Sequence, residues 1–346
     1  MMKKVLIIGG GVAGGSLAIQ LIKKGLEVRL LDSGVNHSSL VASGMVNPIV
    51  FRRMNLSWRV QELLPYARRF YQELEKEFES DFLNDLNIRR FFSSAQERGF
   101  WEAKQHEAAY QDYLTVHADF DEKVKNAKNE FGSGLVKSAF WINPEVFMKQ
   151  MHSYLIKKGV LSYAQFDVSS FELETCSYDS SRYDAVVFCC GAMNDALPFF
   201  KKANIQHNRG QMLKITSKDL SKKESWNKKG FLLPLGDGAY KLGATYEWNE
   251  PSLEATPEAC QKLEMTLKAI SSVDYSVKDQ YVGIRPTVAD RRPVMGAHPE
   301  HKGLHIFNGL GTKGYMLAPL LSLEMADYIL EGKPLHKEVL FSRFYK

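Results

Sequence analysis

Hydrophobic positions follow different rhythms in different parts of the chain. Val5–Ile8 is a continuous apolar run, the pattern of a strand buried on both faces, and an apolar helical pattern follows to Leu21. Glu27–Leu31 reads as a second strand ending in Asp32. The βα alternation then stops, giving way to a polar turn, the segment Ser38–Pro48 and a helix-period pattern from about Ser57 to Phe82. Ile88–Phe92 and Leu135–Ile142 read as strands, and the charged segment between them as helical at least in part. Asn143 and Pro144 make a helix start, a capping side chain followed by a proline in the first turn, and Gly159 stops that helix. Strand patterns resume at Val160–Ala164 and Ala185–Cys190. From Gly210 to Tyr246, QMLKIT, FLLPL and YKLGATY are short strands parted by Gly and Asp turns, which predicts an antiparallel sheet. A helix is expected at Pro257–Ile270. The last segment reads as strand, glycine turn and long apolar helix.

The junction after the first strand carries the first chemistry. Gly9, Gly11 and Gly14 fit G-x-G-x-x-G: a tight turn, a close backbone approach to a pyrophosphate, and close packing of helix on strand. The helix N-terminus turns free N–H groups and partial positive charge toward an anion. Asp32, with Ser33 beside it, stands where a ribose-binding acid belongs, about 20 residues on. An ordinary glycine-rich βα turn would not account for Asp32. A second glycine turn, Gly309, Gly311 and Gly314, precedes the last helix, and its positive end can act on another part of the same ligand. A reduced flavin, negative around N1 and the C2 carbonyl, gains from such a dipole, whereas a nicotinamide has no such need. A second structural βα turn is the alternative. The expected fold is α/β. A Rossmann-like dinucleotide-binding domain is built from residues 1–85, 146–205 and 281–346. An antiparallel-sheet substrate domain, residues 86–145 and 206–280, is inserted in it, with a substrate cleft between the two.

Composition changes little. With 346 residues, 45% hydrophobic and 25% charged, the chain reads as an ordinary soluble enzyme of one or two domains. The net charge of +5 comes with scattered basic pairs mixed with acids, a solvated surface rather than a nucleic-acid footprint. Four cysteines show neither metal spacing nor a disulfide framework, which fits a reducing cytoplasm and no metal. Cys189 and Cys190 read as strand packing. No run approaches the roughly 20 apolar residues of a membrane span, and glycines interrupt the start too early for a signal peptide.

Several stretches together resemble the FAD-dependent D-amino acid oxidase superfamily, on its glycine oxidase and sarcosine oxidase side. They are the N-terminal fingerprint, ASGM at 42–45, RGQ at 209–211, GATYE at 243–247, GIRPTVADRRPVMG at 283–296 and GLGTKGYMLAP at 309–319. GATYE, GLGTKG and ARRFY at 67–71 are especially similar to the FAD domain of the bifunctional tRNA wobble-uridine enzyme, though 346 residues leave no room for that enzyme's methyltransferase half. The resemblance implies a glutathione-reductase-like FAD-binding domain and an enzyme that oxidises CH–NH or CH–NH2 donors by hydride transfer to flavin. The substrate it implies is a small amino acid or N-substituted glycine. The alternative is a stand-alone enzyme that removes a carboxymethyl group from a modified tRNA wobble uridine, with tRNA as partner.

Candidate residues follow. By resemblance, Arg285 matches the carboxylate-binding arginine, whose guanidinium can grip a carboxylate through two parallel hydrogen bonds; an ion pair with Asp290 is the alternative. Lys313 could stabilise anionic reduced flavin or help dioxygen accept an electron, or it is simply solvated. Tyr246, with Tyr240 and Trp248, could wall the substrate cavity, against plain core packing. For the cofactor, Val12 and Ala13 join the first glycine turn, and Thr312 and Tyr315 the second. Ser39, Ala42, Ser43, Gly44 and Met45 resemble the family's second phosphate- and flavin-contacting loop. By alignment with the family, Val168 takes an adenine contact, and Gly191 follows a strand of the same domain. FAD is expected to be bound non-covalently, because no cysteine occupies the turns expected near the flavin and His37 lacks the pattern of histidyl-linked flavoenzymes.

Overall fold

The computed structural model describes residues 3–35, 38–51, 54–116, 124–196 (194–196 by backbone alone) and 198–345. His37 lies outside them. In chain order the principal elements are β1 (Lys4–Ile8), α1 (Val12–Lys23), β2 (Glu27–Asp32), α2 (Val60–Phe78), β3 (Asn87–Phe91), β4 (Ser133–Val136), α3 (Pro144–Lys157), β5 (Leu161–Tyr163) and β6 (Ala185–Phe188). They continue with β7 (Gln206–Thr216), β8 (Glu224–Lys228), β9 (Gly230–Gly236), β10 (Ala239–Gly243), β11 (Glu247–Trp248), α4 (Pro257–Ile270), β12 (Ser276–Thr287), β13 (Val294–Ala297), β14 (Leu304–Asn308) and α5 (Gly314–Glu331).

One sheet has the order β5-β2-β1-β6-β14-β13, parallel except for β13, which runs antiparallel to β14. Its apolar strands serve two cores. Val5 and Ile7 face one core with Leu17, Leu21 and Leu321, while Leu6 and Ile8 face the other with Phe166, Phe188 and Ile306. The second sheet has the order β11-β7-β10-β9-β8-β3-β4, with β12 along the other edge of β7. α4 supplies Leu263 and Leu267 to a core with Leu213, Ile215, Leu232, Tyr240 and Leu242. Alternation then sends Met212, Phe231 and Lys241 to the opposite face.

Three elements differ from the sequence reading. The stretch 135–142 is two strands, β4 and Phe140–Ile142, because Ser138 takes a left-handed φ of 62° and turns the chain. β8 and β12 carry charged and polar residues along much of their length, so no apolar period marks them. The expected division at 280/281 falls inside β12.

Candidate active site

A cavity of about 940 Å³ lies between the two sheets, at the upper end of the usual size of ligand sites. β1 and α1 build one end. Gly9 turns the chain at φ 104°, its N–H bonded to the Leu31 carbonyl at 2.7 Å. A Cβ on Gly14 would lie 1.9 Å from the Gly9 carbonyl oxygen, so this glycine sets the approach of helix to turn and does not itself line the cavity. Gly9, Gly11, Val12 and Ala13 do line it, as do Asp32 and Ser33 at the end of β2. Asp32 lies so close to Gly10 that a Cβ there would be 2.8 Å from its Oδ2. Val168 and Gly191 complete this end. His152, which sequence reasoning missed, donates from Nε2 to the Gly10 carbonyl (2.8 Å) and accepts the Tyr163 hydroxyl at Nδ1 (2.9 Å).

Ser39, Ala42, Ser43, Gly44 and Met45 form the next stretch of wall. Ser39 Oγ accepts the Val12 N–H at 3.0 Å, which ties this loop to the first turn of α1. The Ser43 and Gly44 N–H groups have no partner among the described residues, leaving two donors in a cavity wall.

The second glycine turn closes the far side. Gly311, at φ 56°, donates to the Pro286 carbonyl, and Gly311, Thr312, Lys313, Gly314 and Tyr315 all line the cavity. Gly309, at φ 74°, instead packs against Val288 and Val294 and makes the turn. Lys313 is half-buried rather than freely solvated. Its Nζ donates to the Asn47 carbonyl (2.9 Å) and Ser57 Oγ (2.6 Å), and what it exposes faces the cavity. No carboxylate pairs with it among the described residues, and burial pushes its pKa down to about 8.

Arg285 enters from β12. Its Nη1 donates to Asn208 Oδ1 (2.9 Å) and the Thr245 carbonyl (3.2 Å), and the guanidinium lies 4.6 Å from the Tyr246 ring centroid. A Cβ on Gly210 would collide with the guanidinium, so that glycine makes its bed. Among the described residues Arg285 has no acidic partner, and burial lowers its pKa from the usual value. Asp290 pairs with Arg343 instead, at 3.0 Å.

Some placements differ from the sequence reading. Tyr246 lines the cavity, but Tyr240 is fully buried under α4 with its hydroxyl on the Leu220 carbonyl, and Trp248 is 48% exposed away from the lining. Cys189 and Cys190 lie just past β6, which ends at Phe188 rather than at Cys190 as expected, and both line the cavity. Burial, then Asp32, pushes the Cys190 thiol up to about 12, which keeps it protonated and unreactive. Asn47, Asn227 and Phe231 line the cavity without any motif to announce them. Away from the site, His298, Glu300 and His301 cluster. His298 Nδ1 accepts the Glu300 N–H, and Nε2 contacts the Phe199 carbonyl and Tyr345 hydroxyl, so both nitrogens are engaged.

A deep cavity with two glycine turns, unpaired N–H donors and an acid at one end fits an elongated, anionic dinucleotide. Among the described residues, no helix is long and apolar enough to cross a membrane. Glycine oxidase of Bacillus licheniformis is 24% identical, the match covering 96% of this chain and 94% of that protein. The tRNA 5-methylaminomethyl-2-thiouridine biosynthesis bifunctional protein MnmC of Marinobacter nauticus is 23% identical across 94% of this chain but only 55% of its own length. Among solved structures, iminodiacetate oxidase from Chelativorans sp. BNC1 superposes with a TM-score of 0.79 at 18% identity, over 97% of this chain and 98% of that one. Residues 4–328 match the family described as FAD dependent oxidoreductase, and with nearly the whole chain matched, this protein belongs to that DAO family of FAD-dependent enzymes.

Proposed function

We propose that this enzyme oxidises the C–N bond of a small amino acid or N-substituted glycine, with Arg285 binding the substrate carboxylate. The observation that carries the reading is a guanidinium in a cavity wall whose partners among the described residues are all neutral. A buried cation without a counter-ion is costly, and a substrate carboxylate would supply the missing charge. Two of the relatives bear names that fit: glycine and iminodiacetate are both carboxylated amines, the second an N-substituted glycine.

The chain's residues divide the work. Gly9, Gly11, Val12, Ala13 and Asp32 would hold the pyrophosphate and ribose. Ser39 and residues 42–45 would run along the cofactor, and 311–315 would meet its flavin end. When bound, FAD supplies the acceptor for a hydride from the substrate's α-carbon. Asn208, the Thr245 carbonyl and the Tyr246 ring fix the guanidinium, so the carboxylate is clamped at one orientation. The lining has no histidine among the described residues, and its acids are Asp32 and Asp167, on the nucleotide side. The amine is therefore taken up neutral, its proton left in water, and the positive charge of Arg285 and Lys313 favours that form. Loss of hydride leaves an iminium, which water hydrolyses to an oxo acid or glyoxylate and an amine.

The match to the tRNA enzyme favours a second reading, removal of a carboxymethyl group from a modified tRNA uridine, which presents the same carboxylated amine. One experiment tests both. The FAD-loaded enzyme is mixed anaerobically with glycine, sarcosine, iminodiacetate, D-amino acids and undermodified tRNA, and flavin bleaching is followed. Bleaching by one or more of the small amines supports the first reading. Bleaching by tRNA alone replaces it with the second, and bleaching by none overturns both.

A further inference from the structure

Lys241 lies on β10, on the face of the antiparallel sheet away from α4, and is only 3% exposed. Its Nζ donates to two successive backbone carbonyls of the cavity loop, Val41 at 3.3 Å and Ala42 at 3.1 Å. The neighbouring carbonyls are held likewise: Ser39 by the Tyr315 hydroxyl (2.7 Å), Ser43 by Trp141 Nε1 (2.7 Å) and Gly44 by the Ile142 N–H (3.0 Å). These carbonyls are drawn to the protein side, whereas the Ser43 and Gly44 N–H groups have no partner among the described residues, and both residues line the cavity.

The loop is thus held at five carbonyls, and Lys241 supplies two of the bonds from the other sheet. Nothing in the sheet itself needs a lysine there. The position is buried, no ion pair to Lys241 occurs among the described residues, and an apolar side chain would suit the strand better. The charged and titratable groups around it are Lys214 on β7, Glu145 on α3 and the Tyr281 ring on β12, whose centroid lies 5.1 Å from Nζ.

We infer that Lys241 is a positioning residue for FAD: it fixes the loop 39–45 in the binding conformation and couples cofactor binding to the antiparallel sheet. The inference rests on FAD lying against that loop and not on which amine is oxidised. Preorganising a binding loop strengthens affinity by removing the cost of ordering it.

The test compares FAD dissociation constants of the apoprotein for wild type and Lys241→Met. At pH 7 the variant should bind FAD about tenfold or more weakly, the scale of one charge-assisted hydrogen bond. Its apoprotein should melt no lower than wild type, since a buried charge has been removed. Hydrogen exchange at the amides of 42–45 should quicken. Burial lowers the Lys241 pKa to about 8, so the ratio of the two constants should fall toward one as pH rises past that value and the wild type loses its ammonium. Lys313 is present in both proteins, so its own titration enters both constants. A ratio below threefold at pH 7, or one unchanged between pH 7 and 9.5, overturns the inference. Should the methionine variant not fold, Lys241→Gln keeps N–H donors without the charge. It must then bind FAD more weakly at pH 7 and approach wild type at high pH, or the inference fails. Substrate panels do not enter either measurement, so the proposed reaction can fail independently.

Discussion

Among the described residues two cations reach the cavity with no acid beside them, Arg285 on β12 and Lys313 before α5. The guanidinium stays charged at all working pH values, whereas the ammonium, with its pKa pushed down to about 8, does not. If Lys313 supports negative charge on the reduced cofactor, flavin reduction should weaken as pH rises through about 8, and Lys313→Met should lose that step. The sign for stability is opposite. The unfolded chain holds the lysine proton up to about its usual 10.5, so folding stability from this group rises with pH between about 8 and 10.5. Urea titrations of apoprotein at pH 7.5 and 10 should show a smaller gain for Lys313→Met than for wild type. A step and gain as large in the variant would remove Lys313 from this role. Arg285 was legible because GIRP carries a family pattern. The burial of Lys313 was not, because its partners Asn47 and Ser57 lie more than 250 residues away in sequence. Tyr240 misled for a different reason. Alternation assigns Tyr240 and Lys241 to opposite faces without saying which face meets the cavity, and the packing of α4 decides it.

At the scale of elements, the first turn is where the sequence speaks most plainly. The glycine spacing, the apolar run before it and Asp32 after it each correspond to a contact: Gly9 to Leu31, Gly14 to Gly9, Gly10 to Asp32. Gly14→Ala places a methyl group 1.9 Å from a backbone oxygen that cannot retreat without opening the turn. Overpacking of this kind costs about 1–3 kcal/mol. Thermal melts should show a lower midpoint for the apoprotein, and FAD binding should weaken too, because α1 must move away from the anion it faces. Unchanged melting and affinity would mean the turn is slack. α3 was equally legible. Asn143 caps it by accepting the Glu145 and Val146 N–H groups, and the following proline sits in the first turn. β8 and β12 were not. Lys278 and Asp279 on β12 are exposed and Glu224 and Asn227 on β8 are half-buried, so neither strand shows a run of apolar residues.

The whole molecule sets a parallel sheet, which presents glycine turns and helix N-termini, against an antiparallel sheet that presents one face to the same cavity. Its chain order hides this. β12 pairs with β7 some 70 residues earlier, and only that pairing brings Arg285 beside Asn208, while the Thr245–Tyr246 segment supplies its other contacts. Long-range pairing of this kind leaves no mark in local periodicity, so the fold class and the motif-bearing parts of the cavity wall were readable, while Asn208, Asn227 and Phe231 were not. The proposed function requires this wall to clamp a carboxylate over the cofactor. Its most direct test is rapid-mixing measurement of anaerobic flavin reduction in wild type, Arg285→Ala and Arg285→Lys, using the carboxylated amine that reduces wild type fastest and its decarboxylated analogue. A bidentate charged hydrogen bond is worth roughly 1.5–3 kcal/mol, so the alanine variant should keep FAD but lose about a hundredfold in reduction efficiency with the carboxylated amine. Lysine should restore only part of it, and the decarboxylated analogue should react alike with wild type and alanine variant. Loss of FAD from the alanine variant, or undiminished reduction by the carboxylated amine, would make Arg285 a structural residue and rule out the clamp.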